Sequence, residues 1–284
     1  MGTREISVLV DGLAFGEGPR WHDGRLFLSD MHAHRVLSVD ATDGSTTVVA
    51  EHDSPLSGIG WLPDGRLLVV AMDGAVLRLD ASGLVVHADV TALAPHGIND
   101  MIVHPAGWAW VGQFGYDRHA GATPAPSPLI RVDPDGTASV AADDMMVANG
   151  MAITPDGRTL IVAESAGRRL TTFAIGPHGT LTDRTVFAEL PHAPDGMCLD
   201  AEGAVWAACV TASRYARVLA GGEIVDTVEL EPPRRAVACV LGGPDRRTLY
   251  LLTADTLGEA DASRALMTAR VEQVRVDVPG AGLP

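Results

Sequence analysis

One turn recurs six times along the chain, each time followed by an apolar strand. It reads Asp23-Gly24-Arg25-Leu26-Phe27-Leu28, then Pro63-Asp64-Gly65-Arg66-Leu67-Leu68, then Pro105-Ala106-Gly107-Trp108-Ala109-Trp110. It returns as Pro155-Asp156-Gly157-Arg158-Thr159-Leu160, Ala201-Glu202-Gly203-Ala204-Val205-Trp206 and Pro244-Asp245-Arg246-Arg247-Thr248-Leu249. Between the markers Gly24, Gly65, Gly107, Gly157, Gly203 and Arg246 the steps are 41, 42, 50, 46 and 43 residues. Units of this length match propeller blades, one blade each. In the first unit four short strands are expected, near Gly16 to Trp21, Arg25 to Asp30, Arg35 to Asp40 and Thr46 to Ala50. Asp-Gly pairs tolerate positive φ and so favour tight hairpins. The expected fold is all-β: a single six-bladed β-propeller domain over residues 1–284, with four-stranded blades. Pairing of the N-terminal run Glu5 to Val10 with strands near Ala265 to Val278 would close the ring and remove an open edge.

The repeat gives a register, and the register gives a site. The first strand of each propeller blade lines the central channel, so equivalent positions on it form a ring. Eight residues before each marker (seven in the first unit, whose turn is one residue shorter) stand Glu17, Ser57, Asn99, Asn149, Asp195 and Ala238. Five of these six carry side-chain oxygens. Two carboxylates and two carboxamides converging on one channel are costly unless a cation neutralises them. Oxygen donors suit a hard divalent ion, with Ca2+ the first choice and Mg2+, Mn2+ or oxygen-ligated Zn2+ as alternatives. The ring holds neither sulfur nor imidazole, unlike the usual zinc site. A lone Asn-Gly at a strand start has a plainer reading, a turn residue bonding loop backbone.

Composition narrows the function classes. The 284-residue chain carries a net charge of −15, which disfavours nucleic acid and anionic membrane surfaces as partners and suits cations and neutral ligands. All 21 basic residues are arginine, so Schiff-base chemistry and P-loop phosphate binding are excluded. Cys198, Cys209 and Cys239 are widely spaced in apolar runs and read as core. No G-x-S-x-G elbow occurs, since Leu56-Ser57-Gly58-Ile59-Gly60 lacks the first glycine. MGTREISVLV has no apolar h-region, and no apolar run approaches membrane length, so a cytoplasmic protein is expected.

The same residues carry a resemblance. Gly16-Glu17-Gly18-Pro19-Arg20-Trp21, Asn149-Gly150-Met151-Ala152-Ile153-Thr154-Pro155-Asp156-Gly157, Pro194-Asp195-Gly196-Met197-Cys198-Leu199-Asp200 and Gly242-Gly243-Pro244-Asp245-Arg246-Arg247-Thr248-Leu249-Tyr250 resemble the senescence marker protein/gluconolactonase/luciferin-regenerating enzyme family. The resemblance spans essentially the whole chain and implies a six-bladed propeller. It also implies one divalent cation held by Glu17, Asn149 and Asp195. A further Asn of an Arg-x-Asn-Asp segment, which contacts substrate or metal-bound water, falls on Asn99 of Gly97-Ile98-Asn99-Asp100. The arginine that grips sugar hydroxyls is here Gly97.

The expected activity is divalent-metal-dependent hydrolysis of a lactone or related ester, on a small-molecule substrate. The cation would serve as Lewis acid on the carbonyl and Asp195 would activate water. Asn99, Ser57 and His96 are candidate substrate contacts. The long loop within 115–128 is expected to act as a lid bearing Arg118 and His119, with Tyr116 beside them. His192 is a further candidate for the mouth. Met31, Met101, Phe114, Met145 and Met146 are candidate apolar walls, which with Gly97 would favour a less polar substrate than a sugar lactone. Another metal-assisted reaction, of isomerase or cyclase type, and a non-enzymatic calcium-binding propeller are the alternatives.

Overall fold

Every hairpin glycine of the repeat needs a backbone that side chains resist. Gly24, Gly65, Gly107, Gly157 and Gly203 all have φ between +69° and +94°. Arg246, the one marker that is not glycine, takes the same left-handed conformation at φ 55°. The turn therefore dictates its geometry even where the sequence pays a steric cost. The first unit differs by using two positive-φ residues, Asp23 and Gly24, between the paired His22 and Arg25. That is a two-residue hairpin of the primed type, and it accounts for the shorter turn.

The computed structural model describes residues 4–118, 120–257 and 260–283. Its strands form six four-stranded antiparallel sheets. Blade one comprises Gly16–His22, Arg25–Asp30, Arg35–Val39 and Thr46–Glu51. Blades two to five begin at Leu56–Trp61, Ile98–Val103, Ala148–Ile153 and Pro194–Leu199. Blade six is Arg235–Gly242, Thr248–Ala254 and Ala269–Arg275, completed on its outer side by Ser7–Leu13 from the N-terminus. Ser7 pairs with Gln273 and Leu13 with Ala269, so the ring is closed by the two ends of the chain.

The first strands of consecutive blades touch in a closed circle, the sixth returning to the first. They line the axis. The hydrophobic core is not central but divided into six clusters, one between each pair of neighbouring blades. Leu, Val and Ala dominate them, and all three cysteines are buried there as free thiols. Burial of each large aliphatic chain is worth about 1.5–3 kcal/mol.

Every inner strand carries a β-bulge at the same place. Pairing breaks between Glu17 and Arg20, Leu56 and Ile59, Ile98 and Met101, Ala148 and Met151, Pro194 and Met197, and Ala236 and Ala238. A bulge re-aims side chains, here at the polar ring. It also corrects the ring position in blade six, which is Ala236 and not Ala238. The first two strands of that blade have 8 and 7 residues, against 6 and 5 in blade two, so counting back from the turn falls two short.

Two elements escape the repeat. Helix Ala260–Leu266 lies between the second and third strands of blade six, and only its last two residues fall in the stretch expected to be strand. The C-terminal segment then crosses the far end of the ring. Gly280 N donates to Arg246 O, Ala281 N to Leu199 O, and Leu283 N to Ile153 O, tying blades six, five and four. No described helix is long and apolar enough to cross a membrane.

One residue below the ring the blades approach closely. A Cβ on Gly58 would sit 2.2 Å from Met101 N, one on Gly150 2.4 Å from Asp195 O, and one on Gly196 2.6 Å from Ala238 Cα. Gly150→Ala is expected to cost about 3 kcal/mol. Gly24→Ala, with open space but φ +76°, should cost about 1 kcal/mol. Urea midpoints at unchanged m-value check both, and equal losses would refute the close approach as the dominant constraint.

Candidate functional site

The ring residues stand second in their strands: Glu17, Ser57, Asn99, Asn149 and Asp195. Four of them, all but Ser57, line a cleft of about 550 Å3 at one end of the axis. Ser57 is fully buried and reaches Asn99 Oδ1 with its hydroxyl at 3.4 Å, so it touches the cleft only through Asn99. Asn99 Oδ1 accepts that bond, and Asn99 keeps two amide N–H donors.

Side chains at the ends of second strands hold the loops that enter the ring. Asp30 Oδ1 accepts from the backbone N–H groups of Ala14 and Phe15 at 2.9 Å, just before Glu17. Glu164 Oε2 accepts from Met146 N at 2.8 Å, just before Asn149. Gln113 Nε2 donates to Leu93 O at 3.2 Å, upstream of Asn99. Asp30 and Glu164 are fully buried and each is paired with arginine, Arg35 and Arg169 respectively.

Ser165 links two ring positions. Asn149 Nδ2 donates to Ser165 Oγ at 3.2 Å, and Ser165 Oγ donates to Pro194 O at 2.7 Å, next to Asp195. This turns the Asn149 carbonyl oxygen away from Ser165. Asn149 Oδ1 and Asp195 Oδ1 are both buried without a hydrogen-bond partner. Two orphaned buried oxygens on adjacent blades are costly as they stand.

Electrostatics add to that cost. Burial, then the charges of Asp195 and Asp100, hold the Glu17 carboxyl well above its ordinary value, against the Gly18 N–H and Arg20. Burial and Asp100 push Asp195 up to about 7, against the Asn149 amide and the Gly196 N–H. Asp100 is itself raised by burial, opposed by Arg20 and the Met101 N–H. Among the described residues no three His, Cys, Asp or Glu side chains cluster as a metal site. With the amide of Asn149 as third donor, however, Glu17 and Asp195 make an all-oxygen set of two carboxylates and one carbonyl, which fits a hard divalent cation.

The cleft walls differ from expectation in part. Met31 and Phe114 line the cleft, whereas Met101 and Met145 are fully buried core and Met146 does not reach it. Phe15, Pro55, Met72, Val210 and Leu257 complete the apolar side. His96 and Arg118 line the mouth; His192 does not. The Arg118 guanidinium lies over the Phe114 ring at 3.5 Å, so the long blade-three loop does reach the cleft. His119 lies outside the described residues. Leu257 and Ala260 bring the blade-six excursion to the opposite rim, which the repeat gave no signal for. Gly97 has φ +87°, and a Cβ there would stand 2.5 Å from Met72 O, so this backbone resists any side chain. Sequence reasoning also missed Arg20 and Asp100, a buried pair at 3.2 Å beneath the ring. A larger groove of about 940 Å3 follows the outer strands of blades five and six. Two of its charges are matched, Arg4 to Asp226 and Arg217 to Asp200, and among the described residues no buried carboxylate oxygen without a partner lines it.

Comparison with known proteins agrees with the fold. The model of the SMP-30/Gluconolactonase/LRE-like region matches residues 15–255. A 6-deoxy-6-sulfogluconolactonase of Pseudomonas putida is 29% identical, covering 99% of this chain and 96% of that one. A pentonolactonase of Haloferax volcanii is 30% identical, covering 95% and 92%. Among solved structures, a regucalcin of Agrobacterium tumefaciens, described as a calcium-binding protein, superposes with a TM-score of 0.82 at 22% identity, covering 100% and 99%. That likeness shows the shared propeller fold.

The raised carboxyls carry a pH signature. Between pH 4 and 7 the metal-free folded chain binds more protons at Glu17 and Asp195 than the unfolded chain does. Stability at these sites therefore falls as pH rises through that window. Melts of chelator-treated protein should show Tm falling from pH 5 to 7.5, with a shallower slope for Asp195→Asn. An identical slope in the variant would contradict the assignment.

Proposed function

The chain belongs to the SMP-30/gluconolactonase/LRE-like family, and we propose that it is a divalent-metal-dependent lactonase working at the axial cleft. The observation that carries this reading is the pair of orphaned buried oxygens, Asn149 Oδ1 and Asp195 Oδ1, beside the raised carboxyl of Glu17. Relatives named as lactonases over nearly the full length support the reaction type. Glu17, Asn149 and Asp195 would hold the cation, Ca2+ first and Mg2+, Mn2+ or Zn2+ as alternatives. A regucalcin described as calcium-binding shares the fold.

Bound there, a divalent cation supplies Lewis-acid stabilisation of negative charge on the lactone carbonyl oxygen. The chain's own residues do the rest. Asp195 accepts a proton from a water as its oxygen attacks the carbonyl carbon. The ring C–O bond then breaks, and the leaving oxygen takes that proton to give the hydroxy acid. Without the cation Asp195 stands at about 7; a bound divalent ion would lower it and keep it in the carboxylate form that can accept a proton. Asn99, held by Ser57, donates its amide N–H to the substrate. The apolar wall of Phe15, Met31, Met72 and Phe114 excludes water from the reacting face.

With no side chain at Gly97, the mouth residues His96 and Arg118 become the polar contacts for substrate substituents, and His119 belongs to the same proposed set. Arg118 stacked on Phe114 is pre-organised for a hydroxyl or anionic group. Nucleic acid and membranes are not partners in this reading, and the three free, buried cysteines are compatible with a cytoplasmic location.

Chelation should abolish hydrolysis of at least one member of a lactone panel, with Ca2+, Mg2+, Mn2+ or Zn2+ restoring it. Asp195→Ala should lower kcat at least ~100-fold while the fold persists by circular dichroism. Turnover that survives both changes would sink the proposal, and cation binding without turnover would leave a binding protein. Arg118→Ala should raise KM about 10-fold with kcat little changed. An unchanged KM would remove Arg118 from the substrate contacts.

A further inference from the structure

Below the ring, one cation is already built into the protein. Arg20, on the inner strand of blade one, runs past blade two to blade three. Its Nη2 donates to Asp100 Oδ1 at 3.2 Å and to the Met101 carbonyl, and its Nη1 donates to Pro19 O at 2.9 Å. Arg20 is 6% exposed and Asp100 4%. The passage exists because blade two presents Gly58 there: a Cβ at that position would stand 2.6 Å from Asp100 Oδ1. Asp100 occupies the level that glycine holds in four other blades, as Gly18, Gly58, Gly150 and Gly196.

Burying a guanidinium on the axis of a cation site is not an obvious economy. It repels the ion the site would hold. A tie between blades could be made by an uncharged pair at less desolvation cost. The charge count supplies a reason. Glu17 and Asp100 are buried and Asp195 is half-buried; Glu17 and Asp195 share the cleft, Asp100 directly follows Asn99 of the ring, and its charge acts on both of the others. Three carboxylates alone would present a charge of −3. With Arg20 the cluster presents −2, the complement of one divalent ion.

We propose that Arg20 sets the valence selectivity of the axial site: by cancelling Asp100 it leaves two net negative charges, and so favours a divalent over a trivalent cation. The inference rests on the cation site proposed above. Arg20 is a positioning residue in this account, acting through charge and not by contact with substrate. Its planar fork suits the task, because it satisfies two carbonyls and a carboxylate at once and stays charged at any pH of interest.

The test is calorimetric titration of chelator-stripped protein with CaCl2 and with TbCl3. Wild type, Arg20→Met, Asp100→Asn and the double variant are compared by the ratio of Tb3+ to Ca2+ affinity. Arg20→Met takes the cluster to −3 and should raise the ratio at least 10-fold. Asp100→Asn takes it to −1 and should lower the ratio by a similar factor. The double variant returns to −2 and should recover the wild-type ratio. A merely structural tie would instead weaken both ions together in both single variants, leaving the ratio unchanged, and that result would overturn the proposal. Should Arg20→Met fail to fold, Asp100→Asn and the double variant still decide it. Wild-type protein that binds neither ion, or binds both equally well after Asp195→Asn, would overturn the cation site itself. An unchanged ratio in a protein that binds both ions overturns only the role of Arg20.

Discussion

The close approach of neighbouring inner strands, one residue beyond the polar ring, is the constraint on which the rest of the structure depends. At Gly58, Gly150 and Gly196 a single added carbon would collide with the backbone of the next blade. Because the strands meet so tightly, the residues just above them are forced onto a common axis. The bulge repeated in every inner strand then aims those side chains together. The result is a set of oxygens that cannot satisfy one another. Burial raises the carboxyls of Glu17 and Asp195, and two buried oxygens remain without partners. The site is costly to the fold as it stands, and that cost is what a bound cation would relieve.

The scaffold spends several buried polar groups on keeping this arrangement rigid. Asp30, Gln113 and Glu164 occupy the same position in three blades and each fastens the loop entering its own inner strand. Ser165 fixes the face that Asn149 presents and reaches the residue before Asp195. Ligands carried on strand starts and braced in this way are held more closely than ligands on loops. The rims depart from the repeat: the blade-three loop brings Arg118 to the cleft, and the blade-six excursion brings Leu257 and Ala260.

Much of this was legible in the sequence because the turn has a stereochemical requirement. Positive φ at one position per unit makes glycine recur, and register alone located Arg246 as its sixth equivalent. The ring followed from the same register, and it erred only in blade six, where longer strands moved the equivalent residue to Ala236. Long-range pairings were not legible. Arg20 and Asp100 are 80 residues apart and meet only because Gly58 lacks a side chain. Helix Ala260–Leu266 is too short to show a period, and the C-terminal strap is held by backbone hydrogen bonds that leave no pattern in side chains. Met101 and Met145 could not be told from wall residues, since alternation along a strand decides which face each takes.

The central claim is that one divalent cation sits on the axis between Glu17, Asn149 and Asp195. An anomalous difference map from crystals grown with Mn2+ tests it most directly. The account predicts one peak per chain at the ring, within about 2.0–2.6 Å of a carboxylate oxygen of Glu17, of Asn149 Oδ1 and of an oxygen of Asp195. A peak elsewhere, or none at the ring, would contradict it.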